Sequence, residues 1–203
     1  IHFAQISRNG LGYAKQAISA DAKHFDELRE KLVKYEEISD RIEYEIAAFL
    51  NGVSAGDISE ATSMKIKAMY KIIGELESLG DSGEAISRML SRRNEHNKTF
   101  SAETIDNINL MLEKVDSAYE VMIANLIAAH EGTLSSIANA YSAEEQINVL
   151  RNELREAEIE ALEDNQKNYQ TSVYYIDIIN ELEHMGDYMI NISQSLERAF
   201  VEE

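Results

Sequence analysis

Residues 71–92 read KIIGELESLGDSGEAISRMLSR, and residues 177–198 read DIINELEHMGDYMINISQSLER. At a fixed offset of 106, 11 of the 22 positions are identical. They include Glu75/Glu181, Glu77/Glu183, Gly80/Gly186, Asp81/Asp187, Ile86/Ile192 and Leu90/Leu196. Unrelated segments share roughly one or two such positions, so the match marks an internal repeat. It predicts two similar halves of about three helices each, residues 1–97 and 98–203, parting near residue 97.

The sequence around the repeat is helical in pattern. Apolar residues recur at three- and four-residue spacing. Leu28, Leu32, Tyr35, Ile42, Ile46 and Phe49 form one stripe, and Ile66, Met69, Ile73, Leu76, Gly80, Gly83 and Leu90 a second. Leu110, Val115, Tyr119, Met122 and Leu126 form a third. Ile147, Leu150 and Leu154, then Ile176, Ile179, Leu182, Met189 and Leu196, complete the set. The chain has no proline, where average usage of about 5% predicts roughly ten. Long uninterrupted helices follow, because proline breaks a helix interior. Glycine and polar runs place the breaks at Asn9-Gly10 and Gly12, at 51–57, at 92–101, at 131–133 and at 164–168. The expectation is an all-α bundle of about six helices, several near 30 residues. The alternation of a half-buried strand is absent.

Composition excludes several functions. With 19 Lys+Arg against 37 Asp+Glu, the net charge is −18. Such a surface repels nucleic-acid phosphates and anionic lipid, and favours cations. Hydrophobic residues make up 44%, enough for a core. The absence of cysteine removes disulfides, thiolate metal sites and thiol catalysis. No apolar run reaches the ~20 residues of a membrane span, and no signal peptide is present. The chain opens at Ile1, as expected of a processed or excised piece of a longer protein.

The repeated residues point to a cation. Glu77 and Asp81, like Glu183 and Asp187, stand four apart, so each pair shares one helix face. A helical wheel sets the pair on the shoulder of the apolar stripe. The preceding helix repeats the arrangement with Glu36 and Asp40. Two antiparallel neighbours of this kind bring four carboxylates to one seam, and four convergent carboxylates demand a cation. At an offset of 108, Glu36, Glu37 and Asp40 fall on Glu144, Glu145 and Asn148. The second seam therefore carries an amide where the first has an acid, and should bind its cation more weakly or recruit water. Gly80 and Gly186 each cost a helix about 1 kcal/mol relative to alanine, so their repetition predicts close approach of a neighbouring helix. Arg88 and Arg198 are candidates to neutralise part of the acidic charge. His184 lies about 60° from Asp187 on the wheel and reads as solvent-facing.

ELESLGD at 75–81 and ELEHMGD at 181–187, each followed by an Ile-Ser helix end, resemble the paired E/D-x-x-x-D motifs of the PhoU family. EEQINVLRNELREAEIEALE at 144–163 is similar to the fifth helix of the PhoU domains that follow the membrane part of bacterial sodium/phosphate cotransporters. The resemblance implies two pseudo-symmetric three-helix bundles and a regulatory, non-catalytic role in phosphate uptake or signalling. It implies iron or zinc held by Glu36, Asp40, Glu77 and Asp81, and by Glu144, Asn148, Glu183 and Asp187. Asn148 departs from the acidic pattern, and Ser78 and His184 stand where the family is often basic. The implied partners are the membrane part of a phosphate transporter, inorganic phosphate through the metal, and a second copy of the chain. The implied location is cytoplasmic, tethered to the inner membrane.

Three other readings compete with this one. A ferritin-like di-iron oxidase needs two Glu-x-x-His motifs, and only Glu181-Leu182-Glu183-His184 is present. Glycine-rich phosphate loops, nucleophile elbows and His-Glu-x-x-His are missing. A metal-free acidic interaction domain, whose carboxylates only solvate it, is the other alternative, as is a stand-alone PhoU-type phosphate-signalling regulator.

Overall fold

Four of the six helices begin where a short polar side chain takes up a free backbone N–H of the first turn. Asp21 accepts from the His24 amide and starts α2, Ala22–Ser54. Ser59 accepts from Thr62 and starts α3, Glu60–Glu95. Ser101 accepts from Thr104 and starts α4, Ala102–Glu131. Asn168 accepts from Thr171 and starts α6, Tyr169–Phe200. Before them, α1 spans His2–Ile18. Between α4 and α6, α5 spans Ala138–Glu163 and has no side-chain cap; the fully buried Ile137 anchors its start instead. Gly132 ends α4 in the left-handed conformation, φ 70°, which glycine adopts without a Cβ penalty. The computed structural model describes residues 1–164 and 166–201. Asn165, within the break expected at 164–168, and the last two residues of the second half lie outside them.

The architecture is all-α, two pseudo-symmetric three-helix bundles in which α1, α2 and α3 correspond to α4, α5 and α6. The helices α1, α3, α4 and α6 are central: α3 packs on α6, and α1 packs on α4. Among the described residues α2 packs on α1 and α3, and α5 on α4 and α6. One core runs through both bundles, from Phe3 and Leu11 through Leu32, Leu76 and Ile86 to Tyr119, Ile178 and Leu196.

Several boundaries differ from the expected ones. Gly10 and Gly12 do not interrupt α1. That helix buries Phe3, Ala4, Leu11 and Ala14 along one face, and this packing outweighs the weak helix propensity of two glycines. The breaks at 51–57 and 92–101 are shorter than expected, because α2 continues to Ser54 and α3 to Glu95. Three expected core residues are exposed: Phe49 at 70%, Met69 at 39% and Leu110 at 43%. For Phe49 the cause is length. With 17 residues against 33, α1 covers only part of α2, and at the far end of the hairpin α6 packs on α3 and not on α2.

Candidate metal seam

A connection of five residues, 55–59, folds α3 back antiparallel on α2. Glu36 and Asp40 thereby face Glu77 and Asp81. Gly80 sets the separation. A Cβ at this position would fall 2.5 Å from Ser39 Oγ and 2.8 Å from Ser39 Cβ. Ser39 is 1% exposed, so it has no room to withdraw. The repeat has the same device at Gly186, where a Cβ would meet Ile147 at 3.1 Å. Both glycines therefore sit under a close helix approach, as their repetition led us to expect.

The first seam gathers unpaired acids. Oxygens of Glu36, Asp40 and Asp81 lie within 4.8 Å of one another. Glu77 completes the set, and burial pushes its carboxyl up to about 7, with further contributions from Asp81, Glu43 and Asp40. Burial also raises Asp81, with Asp40 adding to it and a hydrogen bond to Glu77 opposing it. Burial raises Glu36 too, helped by Asp40 and Asp81. Asp81 Oδ1 is buried without a hydrogen-bond partner. Among the described residues none of these four carboxylates is ion-paired. The neighbouring cation, Arg88, is held by Glu84 at 2.5 Å.

The second seam brings the same positions together with different chemistry. Glu144 lies close enough to Asp187 and Glu183 for each to raise it, although burial is the larger cause. Asn148 turns inward and donates its amide to Glu144 Oε1. Arg151 donates from Nη2 to Glu183 Oε1 at 2.7 Å, with the two side chains 23% and 12% exposed. His184 is exposed, as expected, yet its Nδ1 stands 3.5 Å from Glu183 Oε2 and 3.9 Å from Asp187 Oδ2. Glu145, like Glu37, points to solvent.

Across the α3–α6 contact the two seams adjoin. Burial is the main cause that raises Glu75 and Asp81, and small contributions cross the contact, from Asp187 to Glu75 and from Glu181 to Asp81. Asn191 donates to Glu75 at 3.3 Å.

The first seam fits a cation. It offers three converging carboxylates with Glu77 beside them and an orphaned buried oxygen, and the one positive charge that reaches Asp81, Arg88, is already paired with Glu84. The all-oxygen donor set suits hard cations best and also accepts iron or zinc. The second seam also has an orphaned buried oxygen, Asn148 Oδ1, and brings Glu183, His184 and Asp187 within 4.8 Å, but there one acid is an amide and an arginine already neutralises Glu183. Sequence reasoning missed Ser39, Glu43 and Arg151. At the offset of 108 Ser39 falls on Ile147 and Glu43 on Arg151, so no repeated residue marked them.

Six antiparallel helices in two repeats, joined at α3–α6 and edged by E-x-x-x-D pairs, define the class of protein. Residues 108–196 match the sequence model of the PhoU domain. PhoU from Pseudomonas aeruginosa has the same fold, with a TM-score of 0.79 at 15% identity over 97% of this chain and 90% of that one. The phosphate transport system regulatory protein PhoU from Streptococcus pneumoniae gives 0.76 at 20% identity, over 99% of this chain and 94% of that one. No curated protein matches the sequence. The chain thus has the fold of these PhoU proteins, and the match to the PhoU domain model lies in its second half, residues 108–196. Among the described residues no helix is long and apolar enough to cross a membrane.

Proposed function

We propose that this protein is a PhoU-type regulator of phosphate uptake and signalling, and that its α2–α3 seam works by holding a metal ion. The observation that carries the metal is the convergence of Glu36, Asp40 and Asp81 within 4.8 Å beside a Glu77 held at about 7. A metal bound there supplies positive charge that these acids otherwise lack. The carboxylates ionise and draw together, which ties α2 to α3 along the length of the seam. The protein's own part is to fix the helix separation through Gly80 and Ser39 and to present Asp40 and Glu77 at the surface edge. An ion held by Glu36, Asp40, Glu77 and Asp81 would supply the positive charge needed to accept a phosphate oxygen or to dock the protein on a phosphate transporter. The role is regulatory rather than catalytic.

The near-complete overlap with two PhoU chains favours the PhoU-type regulator as the primary form of this reading. The resemblance at 144–163 favours the same module tethered to the membrane part of a sodium/phosphate cotransporter at the inner membrane. The test is metal content. Tag-free protein dialysed against iron(II) or zinc should retain metal, and Asp40→Asn/Asp81→Asn should lose it. Retention unchanged in that variant, or none in the parent, sinks the proposal. A second assay follows phosphate binding with and without chelator; binding that survives chelation removes the metal from that step.

A further inference from the structure

The two halves share a helix plan but not a charge plan, and the difference sits on two neighbouring turns of α5. Five positions line the first seam with acids: Glu36, Asp40, Glu43, Glu77 and Asp81. Their counterparts are Glu144, Asn148, Arg151, Glu183 and Asp187. In the first seam Glu43 adds negative charge beside Glu77. In the second, Arg151 places a guanidinium on the equivalent Glu183 at 2.7 Å. One pair of positions thus carries like charges in one half and opposite charges in the other. Asn148, in the place of Asp40, gives a hydrogen bond to Glu144 where an acid would add repulsion.

We infer that Arg151 is a resident counter-ion that stands in for a metal, so that the second seam is closed without a cation and the protein takes metal on its first half only. The inference rests on the metal reading of the first seam. Physically, a planar guanidinium is always charged and needs no uptake from solution, so α5 and α6 stay tied whatever the metal supply. A divalent ion entering the second seam has to displace Arg151 from Glu183 and leave a half-buried guanidinium unpaired, which is costly. The remaining donors of α6, Glu183, His184 and Asp187, do lie within 4.8 Å of one another, but all on one turn, and Arg151 holds one oxygen of Glu183 while Asn148 holds Glu144, the one acid that α5 offers across the seam. Only the α2–α3 half is then responsive to metal, and the α5–α6 half is a fixed platform.

The experiment is equilibrium dialysis of tag-free protein against zinc, with bound metal counted by plasma mass spectrometry. Four proteins are compared: the parent, the first-seam variant Asp40→Asn/Asp81→Asn, that variant carrying Asn148→Asp/Arg151→Glu, and that variant carrying Arg151→Gln. The first-seam variant should bind no zinc, and adding Asn148→Asp/Arg151→Glu should restore binding. Arg151→Gln should show an intermediate gain and, in metal-free buffer, a lowered Tm that zinc raises again. Zinc retained by the first-seam variant and then lost on adding Glu183→Gln/Asp187→Asn would overturn the inference, since the second seam would already be a site. So would the absence of any gain in both Arg151 variants while circular dichroism shows them helical. Should the charge swap fail to fold, the milder Arg151→Gln decides alone. A parent that binds no zinc contradicts the first-seam reading separately, and the Arg151 variants still report on the second.

Discussion

A single hydrogen in place of a methyl group sets the geometry of each seam. Alanine at position 80 drives a Cβ against Ser39, which is buried and cannot move aside. Overpacking of this kind costs about 1–3 kcal/mol, and the better helix propensity of alanine returns only about 1 kcal/mol. We therefore expect Gly80→Ala to lower urea stability. Gly186→Ala meets Ile147 less closely, with Cδ1 at 3.1 Å, Cγ2 at 3.3 Å and Cβ at 3.7 Å. Its cost should nearly cancel against the propensity gain, leaving it within about 1 kcal/mol of the parent. Equal effects of the two substitutions would refute this account of the repeated glycines. The neighbouring carboxyls make a second residue-level prediction. Glu77 is held at about 7 in the fold, against 4.5 in the free side chain. Between those values the folded state binds more protons than the unfolded chain, so stability falls as pH rises through the interval. In chelator, the Tm should drop between about pH 5 and pH 7.5 through this group, and Glu77→Gln should flatten the slope. The glycines and the carboxylate pairs were legible in the sequence because they recur in register. Ser39 was not, because its counterpart is Ile147 and no repeat marked it.

Elements show where local sequence rules compete. Capping side chains at Asp21, Ser59, Ser101 and Asn168 place four helix starts to the residue. Glycine was a poor guide to the breaks: Gly10 and Gly12 sit inside α1, and Gly52 inside α2. Tertiary burial decides those cases, and burial depends on which helix lies opposite. The short α1 illustrates it. Arg8 donates to Asp116 through Nε and Nη2 at 2.7 and 2.8 Å, and to Glu120 at 2.7 Å, tying α1 to α4 in the other half. Asp116 is held below its ordinary range by that hydrogen bonding. Ser7 reinforces the contact with a buried hydrogen bond to Tyr119 at 2.7 Å. The ion pairs are partly exposed, so Arg8→Ala should cost about 1 kcal/mol, and less in high salt. Calorimetry should register a Tm lower by about 2–4 °C at this chain length. No shift at low salt would show that the pairs contribute nothing. Sequence periodicity placed the helices but carried no sign of this link, because its partners stand 108 residues apart.

On the scale of the molecule, two repeats share one core and differ in what closes their seams. The all-α plan, the six helices and the pairing of α2 with α3 and α5 with α6 follow from the repeat and the spacing of apolar residues. The chemistry of the second seam does not, because it depends on Arg151, which lies outside the repeated motif. A protein built this way should be stabilised by metal through mass action. A cation at 100 times its Kd contributes about 2.7 kcal/mol. That corresponds to a Tm rise of roughly 5–10 °C for a chain of this size. The rise should vanish in Asp40→Asn/Asp81→Asn. The most direct test of the central claim is the metal content of tag-free protein purified without chelator, measured by plasma mass spectrometry alongside that variant. A transition metal near one or more equivalents in the parent, absent from the variant, is the predicted result. A metal-free parent that takes up neither iron nor zinc on dialysis would contradict it, and would leave the acidic seam as a docking surface on a PhoU fold.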